Sequence, residues 1–165
     1  MSDIDSMSLT RYTFPTIIDS SEGDIIDEFL QPALANSLHY DRGVGFFSAG
    51  WLSVLFDGMF RFAENNGRAR IITSPILTES DWQAMQLGAE ARTSEVLHQS
   101  LERSITDLRS TLSQNALTAL SWLVADDVLT FKLAVPINKL SGEFHAKFGI
   151  FTDKDGNQVS FEGSN

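Results

Sequence analysis

The sequence contains no cysteine, which excludes disulfide bridges, thiolate-bound zinc and a cysteine nucleophile. It has no apolar run approaching the roughly 20 residues that a membrane-spanning helix needs, and no basic-then-apolar signal peptide at its N-terminus. Internal repeats and low-complexity tracts are missing too. We therefore expect a cytoplasmic domain with no membrane partner.

Basic residues are scarce, with 12 Lys and Arg against 22 Asp and Glu and a net charge of −10. Residues 1–31 contain seven acidic residues and a single base, whereas all four lysines fall within the last 34 residues. Affinity for a nucleic-acid backbone scales with the number of phosphates that a protein neutralises. The chain should therefore bind long DNA weakly by itself, and tight binding would need a basic partner domain.

Length and composition predict a single core, since a chain of 165 residues buries about 70% of its unfolded surface. We expect a disordered tail over residues 1–9 and one domain over residues 10–165. Apolar residues at helical spacing predict helices, and apolar–polar alternation predicts strands. The predicted helices are 24–38, 48–63, 82–112 and 115–125, and the predicted strands are 11–18, 42–47, 70–73, 130–136, 144–151 and 158–161.

Local signals refine several of these elements. Pro32 should end or kink the helix that contains it. Ser48 is the expected N-cap of the second helix, and residues 78–81 resemble a capping box. Strand, helix and strand follow one another with short joins between residues 42 and 73, which predicts a right-handed βαβ unit with parallel strands. The Trp and Phe residues at helical spacing are interpreted as core.

The C-terminal segment, residues 142–165, carries the most specific pattern in the chain. His145 and Lys147 are two apart on its first predicted strand, so both side chains point to one face. Residues 155–156, Asp-Gly, are a strong hairpin-turn signal. Small polar residues at 163–165 end the second strand, where they can lie level with the His–Lys pair. This constellation is typical of a site that holds a phosphate.

His-x-Lys, hairpin and Gly-Ser-Asn together resemble the His-Lys-Asp (HKD) signature of the phospholipase D superfamily, which includes lipid hydrolases and metal-independent nucleases. The resemblance covers roughly residues 10–165 and is closest to the phospholipase D-like domains at the front of bacterial DNA helicases and restriction-type proteins. It implies an α/β fold with a mixed sheet flanked by helices on both faces and a helical insertion around residues 78–126. The other segments that carry the resemblance are 43–48, 71–75, 119–125, 134–136 and 149–151.

The resemblance also implies a phosphodiesterase or nuclease that acts on the DNA backbone without a metal or other cofactor. His145 would form a phosphohistidine, Lys147 would neutralise charge on the phosphate oxygens, and Ser164 would donate hydrogen bonds to them. One motif per chain implies a homodimer, in which His145 of each subunit serves the other as nucleophile or acid. The candidates for supporting roles are Asn165, Asp153 and Glu162, the last by orienting the lysine.

Two departures from the family pattern affect these expectations. The family places an Asp five residues after the lysine, but Thr152 occupies that position and Asp153 follows one step late. The Gly-Ser-x-Asn element needs one more residue than Asn165 supplies. We therefore expect a domain truncated at its C-terminus, with helicase-type domains following in the full-length protein, and the fragment could be inactive.

Two other interpretations stay open. A catalytically silent dimerisation or DNA-binding module would keep the fold, and both the departure at Thr152 and the acidic composition favour it. A lipid phosphodiesterase fits less well, because no interfacial helix carries Lys or Arg on its polar face. Taken alone, His145 would be an ordinary strand histidine and Asp153 a turn residue. His39 and His98 lack the spacing of metal ligands, so no metal site is expected.

Overall fold

The computed structural model describes residues 7–19, 23–74, 77–94, 111–112, 114–134 and 144–163. Its framework is a five-stranded mixed sheet with the strand order β3-β2-β1-β4-β5. The first three strands pair in parallel, whereas β4 is antiparallel to β1 and β5 is antiparallel to β4. The predicted α/β class with a mixed sheet is confirmed. The strands are β1 (His39–Val44), β2 (Arg68–Thr73), β3 (Leu129–Leu133), β4 (Phe148–Thr152) and β5 (Gln158–Glu162).

The described residues include five α-helices, which are labelled α1 to α5 in chain order. The predicted helix 24–38 begins as a π-helix over Ile26–Leu30 and continues as α1. Pro32 lies in the first turn of α1, where a helix tolerates proline, so it marks a change of helix type and not an end. The helices are α1 (Gln31–Ala35), α2 (Gly50–Val54), α3 (Phe56–Glu64), α4 (Glu79–Ala91) and α5 (Ala116–Ala125).

The predicted βαβ unit is confirmed, because β1 and β2 run parallel with α2 and α3 between them. The single helix predicted over 48–63 is two helices, since the backbone leaves the helical region at Leu55 (φ −103°, ψ 26°). Leu52, Leu55 and Met59 are all fully buried, so the break keeps one apolar stripe against the core.

The predicted starts of α4 and α5 are confirmed by their caps. Thr78 Oγ1 accepts the Asp81 N–H at 3.1 Å and donates to Asp81 Oδ2 at 2.7 Å. Asn115 Oδ1 accepts the N–H of the third residue after it at 3.1 Å. The two helices pack closely, since a Cβ added to Gly88 of α4 would lie 2.5 Å from the Ser121 carbonyl oxygen of α5. Residues 95–110 of the predicted insertion lie outside the described residues.

Apart from Gly43, which the Phe148 ring covers on the other face, the buried residues of the strands lie on one face of the sheet. Along β2 the residues alternate between exposed and buried, as in a strand with one solvated face. On the buried face, Tyr40 and Phe151 stack with ring centroids 4.3 Å apart. The other face exposes Ile72 and carries a two-bond ion pair between Arg70 and Asp41. Helices expected on both faces are therefore found on one face in the described part of the chain.

Some predicted boundaries differ from the structure. Residues 12–19 form no strand, although a strand was predicted over 11–18, and Pro15 within them has no N–H to donate to a neighbouring strand. Strand β4 begins at Phe148, four residues later than predicted. The predicted hairpin turn is confirmed, with Gly156 at φ 85°, a value that suits glycine.

The ordered domain begins before residue 10. Met7 and Leu9 are buried, and a short 3-10 helix runs over Leu9–Arg11. Ser8 caps it by accepting the Thr10 N–H at 3.3 Å. The tail expected over residues 1–9 therefore does not include residues 7–9, because apolar side chains from this segment contribute to the core.

Asp153 ties the β4–β5 hairpin to this N-terminal segment. Its Oδ1 accepts the N–H groups of Asp155 (3.0 Å) and Asn157 (2.9 Å), and its Oδ2 accepts the Leu9 N–H (3.0 Å). Burial by itself raises the pKa of Asp153, but the hydrogen bonds from Asn157, Leu9 and Asp155 outweigh burial and hold the pKa below its ordinary value of 3.8. Asp153 is thus a turn residue, as its simpler interpretation predicted.

Replacement of Asp153 by Asn should lower the free energy of unfolding by about 1–3 kcal/mol at pH 7, because an amide NH₂ would face buried N–H donors. Since the folded pKa is lowered, the stabilisation by the Asp153 carboxylate is complete above the unfolded pKa and is lost as pH falls through the folded value. Urea unfolding of the wild type and the variant should therefore differ at pH 7 and converge below pH 3.8.

Asp155→Asn is the matched control, since the Asp155 carboxylate is exposed and, in the described residues, bonds only to the neighbouring Lys154 at 3.3 Å. Its effect should stay within about 0.5 kcal/mol. Equal stability of the two variants at pH 7 would contradict the anchoring role of Asp153.

Candidate functional site

The candidate site forms where β1 ends and β4 begins. Because these strands are antiparallel and Gly43 lies opposite Phe148, the segment before β4 runs back beside the loop that follows β1. The approach is closest at Gly45, where an added Cβ would lie 2.7 Å from the Phe144 carbonyl oxygen and 3.5 Å from His145 Nδ1. Glycine is therefore required at this position for the His145 segment to approach the loop.

His145 and Lys147 are brought together, although in an irregular segment and not on the predicted strand. The His145 side chain is exposed and Lys147 is half-buried. Both line an open, shallow depression of about 300 Å³, together with Glu162 and Gly163. We call this depression the His145 pocket. It is shaped to admit a ligand from solvent, and it has the chemistry of an imidazole beside an ammonium group.

A second concavity of about 290 Å³ adjoins this pocket and shares Lys147 with it. We call it the Arg42 cleft. It lies at the end of the sheet's buried face, between β1, the loop after β1 and the start of α2. Its wall combines two cations with aromatic rings and a hydroxyl, and the lining residues used below are Arg42, Phe46, Ser48, Trp51, Lys147 and Phe148.

Arg42 is fixed in the cleft by two contacts. Its Nη1 donates to the Tyr40 hydroxyl at 3.0 Å, and its guanidinium carbon lies 4.7 Å from the centre of the Trp51 ring. Burial raises the pKa of Tyr40 above 10.0 while Arg42 opposes the rise, so the hydroxyl keeps its proton at neutral pH. The Arg42 guanidinium thus lies next to a neutral phenol, with its planar group stacked on an aromatic face.

The loop after β1 is held by helix α4 as well as by α2. The Ala49 N–H donates to Oδ1 of Asp81 at 3.0 Å, and Asp81 is buried. Ser48 lies one residue before the N-cap of α2, and its hydroxyl accepts the Gly50 N–H at 3.3 Å. These bonds fix the backbone that presents Phe46 and Ser48 to the cleft.

The electrostatics of the cleft differ from those of the whole chain. No Asp or Glu is among the described residues that line it. The Lys147 ammonium group has no hydrogen-bond or ion-pair partner in the described ranges, and Arg42 pairs with no carboxylate there. The nearby Asp41 is occupied by Arg70 on the opposite face of the sheet. Arg42 and Lys147 therefore line the same cleft without a carboxylate partner in the described residues, on a protein whose net charge is −10.

The predicted supporting residues are distributed unevenly. Glu162 lines the His145 pocket but forms no ion pair with Lys147 in the described residues. Asp153 lies at the far end of β4, roughly 20 Å along the extended chain from Lys147, so it cannot act at the same site. Ser164 and Asn165 lie outside the described residues.

Sequence reasoning missed Arg42 and Trp51 as site residues. The signal for Arg42 was present, because it alternates with Tyr40 and Val44 and so occupies the apolar face of β1, where an arginine needs a special partner. Trp51 was interpreted as core. It is only half-buried, and its ring forms the cleft wall beneath Arg42.

Comparison with family models, with curated proteins and with solved structures finds no match for the chain. Among the described residues, no group of three or more His, Asp or Glu could hold a metal ion. In the same residues, no helix has both the length and the apolar character needed to cross a bilayer. The site must therefore be interpreted from its own geometry.

Replacing Gly45 by Ala should displace the segment that carries His145, because the new Cβ would clash with the Phe144 carbonyl. We expect a loss of about 1–3 kcal/mol in the free energy of unfolding, as for other overpacked sites. Backbone amide chemical shifts should change most over residues 144–148.

Gly50→Ala is the control. Residue 50 is the first residue of α2, and a Cβ added there would contact only Ser48 Oγ, at 3.5 Å. This variant should be neutral or slightly more stable, as Gly-to-Ala changes in helices usually are. If Gly45→Ala gave the same small effect, the close approach of the two segments would be refuted.

Proposed function

We propose that this chain is a phospholipase D-like phosphodiesterase domain that cleaves DNA through a phosphohistidine, as the N-terminal module of a helicase or restriction-type protein. The observation that carries the proposal is the shared lining of one open pocket by His145 and Lys147, with Lys147 unpaired among the described residues. A second cation, Arg42, lines the adjoining cleft and pairs with no carboxylate in the described residues. An anionic ester is the ligand that this set of groups complements best.

The proposed reaction has two steps. An imidazole nitrogen of His145 attacks phosphorus, the P–N bond forms, and the bond from phosphorus to the leaving oxygen breaks. Lys147 stabilises the negative charge that builds on the non-bridging oxygens during this step. Water then attacks phosphorus and the P–N bond breaks, which releases a phosphomonoester and restores the imidazole.

The leaving oxygen must gain a proton, and a second imidazole suits this task near neutral pH. We propose that His145 of a second copy supplies it, which makes the active form a homodimer with two motifs facing one another. The exposed position of His145 supports this arrangement, because a second subunit can reach it. No metal or cofactor takes part in the proposed reaction.

A catalytically silent dimerisation or DNA-binding module is the second candidate. The observation that favours it lies at Thr152, where the family has an acidic residue. The Thr152 hydroxyl accepts a hydrogen bond from the Gln158 amide at 3.1 Å across the hairpin. The carboxylate of the next residue, Asp153, accepts hydrogen bonds from backbone N–H groups of the turn. An acidic group is therefore missing from the position that the resemblance assigns to it.

The test is cleavage of a single-stranded oligonucleotide and of a chromogenic phosphodiester, with EDTA present throughout. His145→Ala should lower the rate by on the order of 10³-fold or more, and Lys147→Gln by about 10²- to 10³-fold. Mass spectrometry after an alkaline quench should find the phosphoryl half of the substrate on His145 in the wild type alone.

His39→Ala is the matched control, because His39 is an exposed histidine at the opposite end of the same sheet, paired with Thr152. It should cleave as fast as the wild type. If the wild type binds DNA without cleaving it, the silent module replaces the enzyme. If cleavage survives His145→Ala, the phosphohistidine mechanism at His145 is refuted.

A further inference from the structure

The Arg42 cleft contains more aromatic surface than binding a phosphate requires. Phe46 is 53% exposed, which is unusual for a large apolar side chain beside a charged site. Trp51 and Phe148 also line the cleft. A purely anionic ligand would gain nothing from these rings, so they indicate a ligand with a flat, apolar part.

The rings of Phe148 and Trp51 are held in place by the fold. The Phe148 ring covers Gly43, since a Cβ there would lie 2.3 Å from it. Trp51 is sandwiched between the Arg42 guanidinium and the core, with its ring 6.2 Å from that of Tyr40. A ligand in the cleft therefore meets two rings that need little ordering, which lowers the entropic cost of binding.

The cleft and the His145 pocket share Lys147, which fixes how a ligand can span them. A phosphate beside Lys147 lies next to His145 on one side and next to the aromatic cleft on the other. The cleft volume of about 290 Å³ is at the small end of ligand sites, so it suits a single nucleotide unit and not a double helix.

We propose that the Arg42 cleft binds one unpaired base of the nucleotide whose phosphodiester lies against His145 and Lys147, so that the substrate is a single-stranded nucleic acid. The base stacks on the exposed Phe46 ring beside the edge of Trp51, and Arg42 contributes through its charge and its planar face. Bases within a duplex are stacked and paired and cannot enter such a cleft without being flipped out. This inference rests on the proposed function and specifies its substrate.

The experiment compares three fluorescein-labelled probes at low ionic strength by anisotropy: a single-stranded hexanucleotide, the same strand with all bases removed, and the matching duplex. Phosphorothioate linkages slow cleavage during the measurement. The wild type should bind the intact single strand about five- to 150-fold more tightly than the abasic strand, the range expected for one stacked base. Binding of the duplex should be at least about fivefold weaker than that of the intact strand.

Phe46→Ala should weaken binding of the intact strand by about five- to 150-fold and leave the abasic strand unaffected, because it removes stacking alone. Lys147→Gln should weaken both strands, because it removes a phosphate contact. Tyr12→Ala is the matched control, since Tyr12 is 45% exposed and does not line the cleft. It should bind all three probes like the wild type.

Two outcomes would overturn the inference, and they differ in what they mean for the proposed function. Equal binding of intact and abasic strands, with cleavage retained, would leave the phosphodiesterase standing and remove the base subsite. Failure to bind or cleave any probe would remove both proposals. An effect of Phe46→Ala on the abasic strand as large as on the intact strand would also refute stacking.

Discussion

The antiparallel pairing of β4 with β1 decides where every candidate site residue lies. Pairing of Gly43 with Phe148 places the start of β4 at the end of β1, so the loop after β1 and the His145 segment must meet. They can meet only because residues 43 and 45 are glycines, and a side chain at either would overlap the opposite segment. β1 also separates the parallel half of the sheet from the antiparallel half. Its end is therefore a natural crevice, comparable to the switch points at which open α/β sheets bind ligands.

The hairpin that carries β4 is anchored at the end opposite to the site. Asp153 binds the turn and the N-terminal segment together, and the five residues of β4 separate it from Phe148 by roughly 17 Å. The anchor fixes the register of β4 against β1, and a one-residue slip would turn Phe151 from the core to the open face. Correct placement of Lys147 therefore depends on a carboxylate at the opposite end of β4.

The sequence predicted those features that local chemistry determines. The Asp-Gly turn, the caps at Thr78 and Asn115 and the βαβ unit need only neighbours in the chain, and the structure contains all of them. The Arg42 cleft could not be predicted in the same way. It depends on the stacking of Arg42 on Trp51, which are joined by a loop. It also depends on Lys147, which lies about a hundred residues from both of them in the chain. The one-sided helix layer was also missed, because the resemblance was given more weight than the alternating pattern of β2.

The acidic surface and the cationic cleft act over different distances. At physiological ionic strength a charge is screened within about 8 Å, so a phosphate beside Lys147 interacts mainly with Lys147 and with Arg42 in the adjoining cleft. A long duplex reaches far beyond that range, and its outer phosphates meet a chain of net charge −10. Such a surface offers little affinity for the backbone alone, since that affinity comes from many neutralised phosphates. A ligand that binds here must gain energy from non-electrostatic contacts, and in the described residues the aromatic wall beside Lys147 supplies them.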